Sequence, residues 1–446
     1  MKQRCSGRIS PVLMFLAALA LCPPLYARTL YVSPSGDDNS LPRHGAFYKS
    51  LAAAVHYLEP GDTLYVSNGN YTGGVVIGIR ARQDAPVVIR GESLDAVIDG
   101  SGRERDALIV QNAAWVRIER LTARNARRAG CTVRFSSNIT ISGCRFADNE
   151  VWGIFTSFAD DILFENNECR GSKRQHGIYH SNSGDNFVIR GNRVHDNSGN
   201  GIHLNGDPEI HGGDGILNRG LVEGNVVWNN GRAGGAGINM THVQDVIVRN
   251  NLIYNNLAAG ITVYQDAGSF GQGSKNVLIT GNTVFFRKDE GRSGVNVQTT
   301  SEKVAIVGNI FVSGGRRGNI QINARNLGSV FSDCNLLWGV DSSQTIERHD
   351  RRFNLDEWGI LTGNDHHSAI AYPYFVAPGS GDFAISPHSP AVGLGMAQTD
   401  IIATLRRMDG FEWVLSRLEG LPPMDLKGAE RPRDKAPDAG AFQHGE

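Results

Sequence analysis

The stretch at residues 176–182, "HGIYHSN", returns at 200–206 as "NGIHLNG". A repeat this short cannot bury a hydrophobic face by itself, so it has to stack on copies of itself. No other property of the chain narrows its fold so far. The Gly-Ile pair, or a close variant, recurs at Gly153, Gly177, Gly201, Gly237, Gly260 and Gly294, in steps of 24, 24, 36, 23 and 34 residues. A second ladder runs through "ENNEC", "RGNRV", "EGNVV", "RNNLI", "TGNTV", "VGNIF" and "DCNLL", placing Asn at 167, 192, 225, 251, 282, 309 and 335. Short β-branched runs precede each Asn, and no helical period intervenes.

A rung of about two dozen residues with three short strands is a coil of a parallel β-helix. Three residues before the ladder Asn stand Phe164, Ile189, Val222, Val248, Ile279 and Ile306, and two residues after it Cys169, Val194, Val227, Ile253, Val284 and Phe311. Stacked coils pile these into continuous apolar columns. The Asn sits at a bend, where it tolerates left-handed backbone and can bond to its equivalent one rung away. Cys169 falls in an inward column and Cys144 replaces the Asn one rung earlier, so no disulfide is expected between them. The spacing of Cys131, Cys144, Cys169 and Cys334 matches no zinc motif.

Stacked coils leave open sheet edges at both ends, which need caps. "KSLAAAVHYL" at 49–58 reads as an amphipathic capping helix, followed by a turn and strand in "EPGDTLYV". After about residue 340 the period fades, and "NLDEWGILTG" and "DIIATLRRMDGFEWVLSRLEG" read as helices. The expected organisation is therefore a leader at 1–27, a cap with the first coils at 28–110, coils at 111–340 and a capping tail at 341–446 that lies back along the barrel. The leader reading rests on Lys2, Arg4 and Arg8 before the apolar run "PVLMFLAALAL", too short to span a bilayer, and cleavage near Ala27. Export to the periplasm or medium, as a monomer, follows as the expectation. Cleavage leaves 41 Lys and Arg against 45 Asp and Glu, about −4, which makes nucleic acid an unsuitable partner. No later segment reads as membrane-inserting.

The opening "YVSPSGDD…FYKSLAAAVHYLEPGDTLYVSNGNYTG" resembles the start of secreted right-handed β-helix carbohydrate enzymes, including family 9 pectate lyases. The tail "FAISPHSPAVGLG…DLKGAERPRDKAPDAGAFQ" is similar to the closing segment of exported bacterial β-helix proteins. The resemblance implies an all-β, right-handed parallel β-helix acting on a polysaccharide. It does not carry a reaction. "NMTHVQD" and "VYQDAGS" do not reproduce the aspartate-rich calcium motif of family 9. The polygalacturonase blocks are missing apart from a lone Asp160-Asp161, and the "DPHD"-like block of mannuronan epimerases is missing too.

Alternation along the Gly-Ile strand places Phe155, Tyr179, His203, Asn239, Thr262, Asn296 and Gln321 in one outward column. A second column holds Ser157, Ser181, Asn205, Thr241, Tyr264, Gln298 and Asn323. The inward column between them includes Thr156 and His180, so His180 is expected buried. Insertions after Asn205 and Tyr264, and longer approaches at "NGRAGGA" and "RKDEGRS", wall this strip into a groove for a linear polymer. Tyr179 and Tyr264 would stack on sugar rings, and Asn205, Asn239 and Asn296 would bond hydroxyls. His203 is the leading acid–base candidate, expected to face solvent; the alternative is a surface His bonded to a neighbouring coil. His176, at the bend, stays open. A His176–His180 zinc pair is excluded, since four residues of strand span about 13 Å.

Two chemistries fit this strip. A lyase acting by β-elimination on a uronate polymer would use His203 as base, Tyr264 as proton donor and Arg174 or Lys275 near the carboxylate. A glycoside hydrolase would need two carboxyls from Asp207, Asp214 and Asp266. A glycan-binding protein without catalysis is the third reading. Asp207 and Asp214, near Glu209 and His211, could also hold Ca²⁺, or Asp207 could do acid–base chemistry near His203, against the plainer reading of a solvated loop. Asp365, His366 and His367 read as a loop in the tail. His195, Trp228, Tyr254 and Phe285 form an outward aromatic column on another face, read as covered by the tail rather than as a sugar platform.

Overall fold

The computed structural model describes residues 27–265, 273–315, 317–339, 344–347 and 351–444. Leader residues 1–26 and Asp266 lie outside the described residues. The strands stack in parallel into a right-handed β-solenoid of about 10 turns. One face carries the Gly-Ile strands, among them Ile178–Asn182, Ile202–Gly206, Ala236–Thr241 and Ala259–Tyr264. A second face follows round the corner with Leu217–Glu223, Val243–Arg249 and Lys275–Thr280. The third is a sheet of twelve short strands running from Gly69–Thr72 to Ala369–Ile370.

The register agrees with the sequence spacing. Tyr179 pairs with His203 and His203 with Asn239. Both apolar columns flanking the Asn ladder are shut off from solvent from Phe164 to Phe311. The ladder is a continuous hydrogen-bonded rail. Asn225 Nδ2 donates to Ile189 O (2.9 Å) and to Asn251 Oδ1 (2.9 Å), while its own Oδ1 accepts from Asn192 N and Nδ2 (both 2.9 Å). A second rail, not picked out from sequence, runs five residues further on through Asn197, Asn230 and Asn256. The position before each ladder Asn is left-handed, and Gly fills it at 143, 191, 224, 281 and 308. The four cysteines among the described residues are free thiols.

The N-terminal helix is Leu51–His56, shorter than the expected span, because the Ser50 side chain caps it at Ala53 N and the Pro60 turn follows. In the tail, Leu355–Thr362 starts on a capping box of Asn354 with Glu357 and ends on left-handed Gly363. The segment from 398 to 420 is two helices, Gln398–Met408 and Glu412–Gly420, broken at Asp409-Gly410. Their Ile401, Leu405, Phe411, Val414 and Leu418 cover outward Leu221, Ile247 and Leu278 of the second face. Phe375 and Phe383 close over Tyr254 and Phe285 on the third face. Of the aromatic column, that half is under the tail, while His195 and Trp228 stack on each other at 4.0 Å.

Candidate functional site

The expected strip lies where the register put it, but it is not a wall open to solvent. In the first column His203 is 9% exposed, Asn239 6%, Asn296 6% and Gln321 4%. Flat rings and amides one strand spacing apart seal each other, which is why alternation alone overstates their exposure. The second column breaks because the chain turns its corner early, at left-handed Asn182 and His242. Ser181 consequently bonds back to Thr156 O (2.7 Å), and Thr241 is buried beside His242. Phe155, Tyr179, Asn205 and Tyr264 keep partial contact with solvent.

His203 departs most from expectation. Its ring stacks on Tyr179 (centroids 5.0 Å, 17°), and its Nδ1 lies 3.2 Å from His176 Nε2. The backbone N–H of Asn200 donates to His176 Nδ1 (3.0 Å). That nitrogen is therefore an acceptor, and neutral His176 carries its proton on Nε2. Nε2–H donates to His203 Nδ1, which leaves the His203 proton on Nε2. This atom is closed to solvent and has no partner among the described residues. The acceptor lone pair a base would use is thus occupied, and the other nitrogen is a covered donor. Burial pushes the His176 imidazole down from its usual 6.5 to about 4. Burial, with His176 alongside, pushes His203 well below its usual value. His180 is interior as expected, bonded to Thr156 Oγ1 (2.6 Å), with burial taking it down to about 3.

These three imidazoles make a prediction. Each is neutral when folded and titrates near 6.5 when unfolded, so the unfolded chain binds more protons below that value. Their contribution to stability is full above about pH 6.5 and is lost as pH falls toward 4. His367, raised by its bond to Asp333, works in the opposite sense. The urea midpoint is expected to drop between pH 7 and pH 5, where most carboxylates remain ionised, and the drop should shrink in His180→Phe. A midpoint flat over that range contradicts the neutral-imidazole assignment.

Two phenols are fixed by amides. Asn205 Nδ2 donates to Tyr179 Oη (3.0 Å) and Asn239 Nδ2 to Tyr264 Oη (3.2 Å). Burial first, and the Asp207 charge after it, push the Tyr179 phenol up, against the pull of the Asn205 bond. Beside Tyr179 lies an aromatic platform missed from sequence. Trp152 stacks on Phe155 (4.4 Å, 18°), and the Arg128 guanidinium lies 5.5 Å from the Phe155 centroid while held by buried Asp106. Trp152, His176 and Asn200 all stand directly before the repeated Gly. That column was the available signal.

The flanking candidates lie outside the floor strands. Arg174 is on the outer rim, 71% exposed and paired with Glu150 at 2.9 Å. Lys275 opens the second-face strand after the Tyr264 turn, half-buried, between Gln244 and Glu302. Asp207 Oδ1 caps Glu209 N (3.1 Å), and Asp214 Oδ1 accepts from Ser183 Oγ (3.2 Å) and Ile216 N (3.0 Å). Each carboxylate braces its own turn through Oδ1, and no third acid or histidine joins them among the described residues. The pair does not fit the calcium ion considered for it, and no step is derived through one.

Residues 87–234 match the family described as right handed beta helix region. Over 84 residues, 18% of this chain, the sequence is 34% identical to pectate lyase PEL9 of Emericella nidulans, an alignment that spans only 20% of that relative. Pectate lyase Pel9A superposes with a TM-score of 0.59 at 15% identity, covering 95% of this chain and 98% of that one. The alginate lyase of Paenibacillus sp. str. FPU-7 gives 0.51 at 20% identity over 58% and 91%. At such identities the structural likenesses speak for the fold alone. The chain is a right-handed parallel β-helix with a pectate-lyase-like fold, similar in sequence to PEL9 over a fifth of that enzyme.

Proposed function

We propose that this protein is an exported polysaccharide lyase that cleaves a uronate-containing polymer by β-elimination. The observation that supports it best is the pair of amide-held phenols, Tyr179 and Tyr264, in the groove. An Oη held by an amide N–H has a fixed direction, and a phenol so placed can protonate a leaving glycosidic oxygen. Asp207, whose charge reaches Tyr179, takes the proton from C5; the C4–O bond breaks, a C4–C5 double bond forms, and Tyr264 protonates the leaving oxygen. Lys275 on one flank offsets the substrate carboxylate, with Arg174 on the opposite rim as a second cation. Trp152, Phe155 and Tyr179 stack on sugar faces, Asn205 bonds a sugar hydroxyl, and the nearly covered Asn239 and Asn296 brace the floor beneath the rings. His203, with its acceptor nitrogen occupied, holds the Tyr179 ring rather than serving as base.

Incubation with a panel of acidic and neutral polysaccharides tests this. The expected result is the ultraviolet band of an unsaturated uronate. New reducing ends without that band mean hydrolysis, and retained binding without either product means a glycan-binding protein; both results overturn the lyase reading.

A further inference from the structure

Away from the groove, the last rungs meet the tail at Asp333, Cys334 and His367. Their ligand atoms, a carboxylate oxygen, a thiol sulfur and an imidazole nitrogen, all lie within 4.8 Å of one another. It is the one such group of three among the described residues. Asp333 Oδ1 is held by the backbone N–H of Cys334 (2.9 Å) and of His367 (2.7 Å), which fixes the carboxylate at the centre of the group. Its Oδ2 faces His367 Nδ1 at 2.7 Å. The donors come from two distant segments, the strand Val330–Asp333 with its corner and the tail after Leu355–Thr362.

The thiol has no evident packing reason to be there. Cys334 occupies the left-handed position before the ladder Asn (φ 58°), which Gly or Asn fills in the preceding rungs from 143 to 308. A Cβ in that conformation costs of order 1 kcal/mol. Cys334 is only partly buried, unlike Cys131, Cys144 and Cys169. Asp365 and Asp400 add negative field around the sulfur.

We propose that Asp333, Cys334 and His367 form a binding site for a divalent transition metal of the zinc class, pinning the tail to the final coils. Carboxylate, thiolate and neutral imidazole carry two negative charges, which a divalent ion balances, and a mixed S, N, O set suits zinc. Tetrahedral bonds of about 2.0–2.1 Å separate two light-atom ligands by about 3.3 Å. The Asp333–His367 pair at 2.7 Å must open by about 0.6 Å, and the His367 side chain, 77% exposed, is free to move that far. Water would complete the four ligands. Binding releases the thiol proton to solvent, and His367 coordinates through Nδ1 as a neutral ring whose one proton sits on Nε2.

The test uses Co²⁺ and Zn²⁺ with the purified full chain. One Co²⁺ per chain is expected, with a thiolate-to-cobalt charge-transfer band that Zn²⁺ abolishes. His367→Ala should weaken binding at least tenfold. Cys334→Gly restores the residue the other rungs use, so it should fold at least as well as the parent while losing the band. Zn²⁺ should raise the melting temperature of the parent and leave that of Cys334→Gly unmoved. Sub-stoichiometric cobalt, no charge-transfer band, or a band unchanged in Cys334→Gly overturns the proposal and leaves an Asp–His pair beside a spectator thiol.

Discussion

Asn225→Ala is expected to lower stability by about 3–5 kcal/mol, read as a large fall in the urea midpoint. The substitution removes four bonds made by one side chain: two accepted from Asn192 and two donated, to Ile189 O and Asn251 Oδ1. Asn192 N is left unpaired in a region closed to water, at about 1–3 kcal/mol, and the Ile189 carbonyl and the Asn192 and Asn251 amides each lose a bond. Asn225→Asp should be nearly as harmful, because it keeps the acceptors, removes the donors and buries a charge. Asn39→Ala in an exposed turn is the control and should cost under about 1 kcal/mol. A loss for Asn225→Ala as small as that of the control would mean that the rail is decorative and the apolar columns alone hold the coils.

Tyr264→Phe carries the largest expected effect on activity, a fall in kcat of about 10²–10⁴-fold on the polymer that the panel identifies. The ring remains, and the Oη that accepts from Asn239 is removed. The unpaired Asn239 amide costs about 1 kcal/mol of stability, too little to unfold the chain. Trp152→Ala should act differently, raising KM more than it lowers kcat, since it removes stacking area and no proton donor. Turnover retained by Tyr264→Phe removes the proton-donor role, and the β-elimination mechanism falls with it.

Part of this molecule was legible without coordinates, and the reason is local. The inward columns and the Asn ladder depend on spacing within a rung, and a repeating chain states that spacing again in every rung. The pairing of Tyr179, His203 and Asn239 followed once the Gly-Ile strands were aligned. The outer surface was harder. Alternation says which side of the sheet a side chain leaves from, not what lies over it. His203 was taken as solvent-facing and is stacked and closed. Arg174 pairs with Glu150 on the rim, a contact that no spacing in the chain announces. Asp207 and Asp214 suggested a shared ion and cap separate turns.

What the sequence alone determined is the coil: its length, its inward residues, its first polar rail and the vertical order of the Gly-Ile strip, all set by intervals of one turn of the solenoid or less. What only the tertiary structure decided is how side chains from different rungs, and from the tail, meet. The tautomer of His203 depends on His176 and the Asn200 backbone, which stand just before the strands of two neighbouring rungs. The Asp333–Cys334–His367 cluster depends on a tail segment more than thirty residues away folding back against the corner. Contacts of that kind come from packing between stacked units, and no periodicity in the chain encodes them.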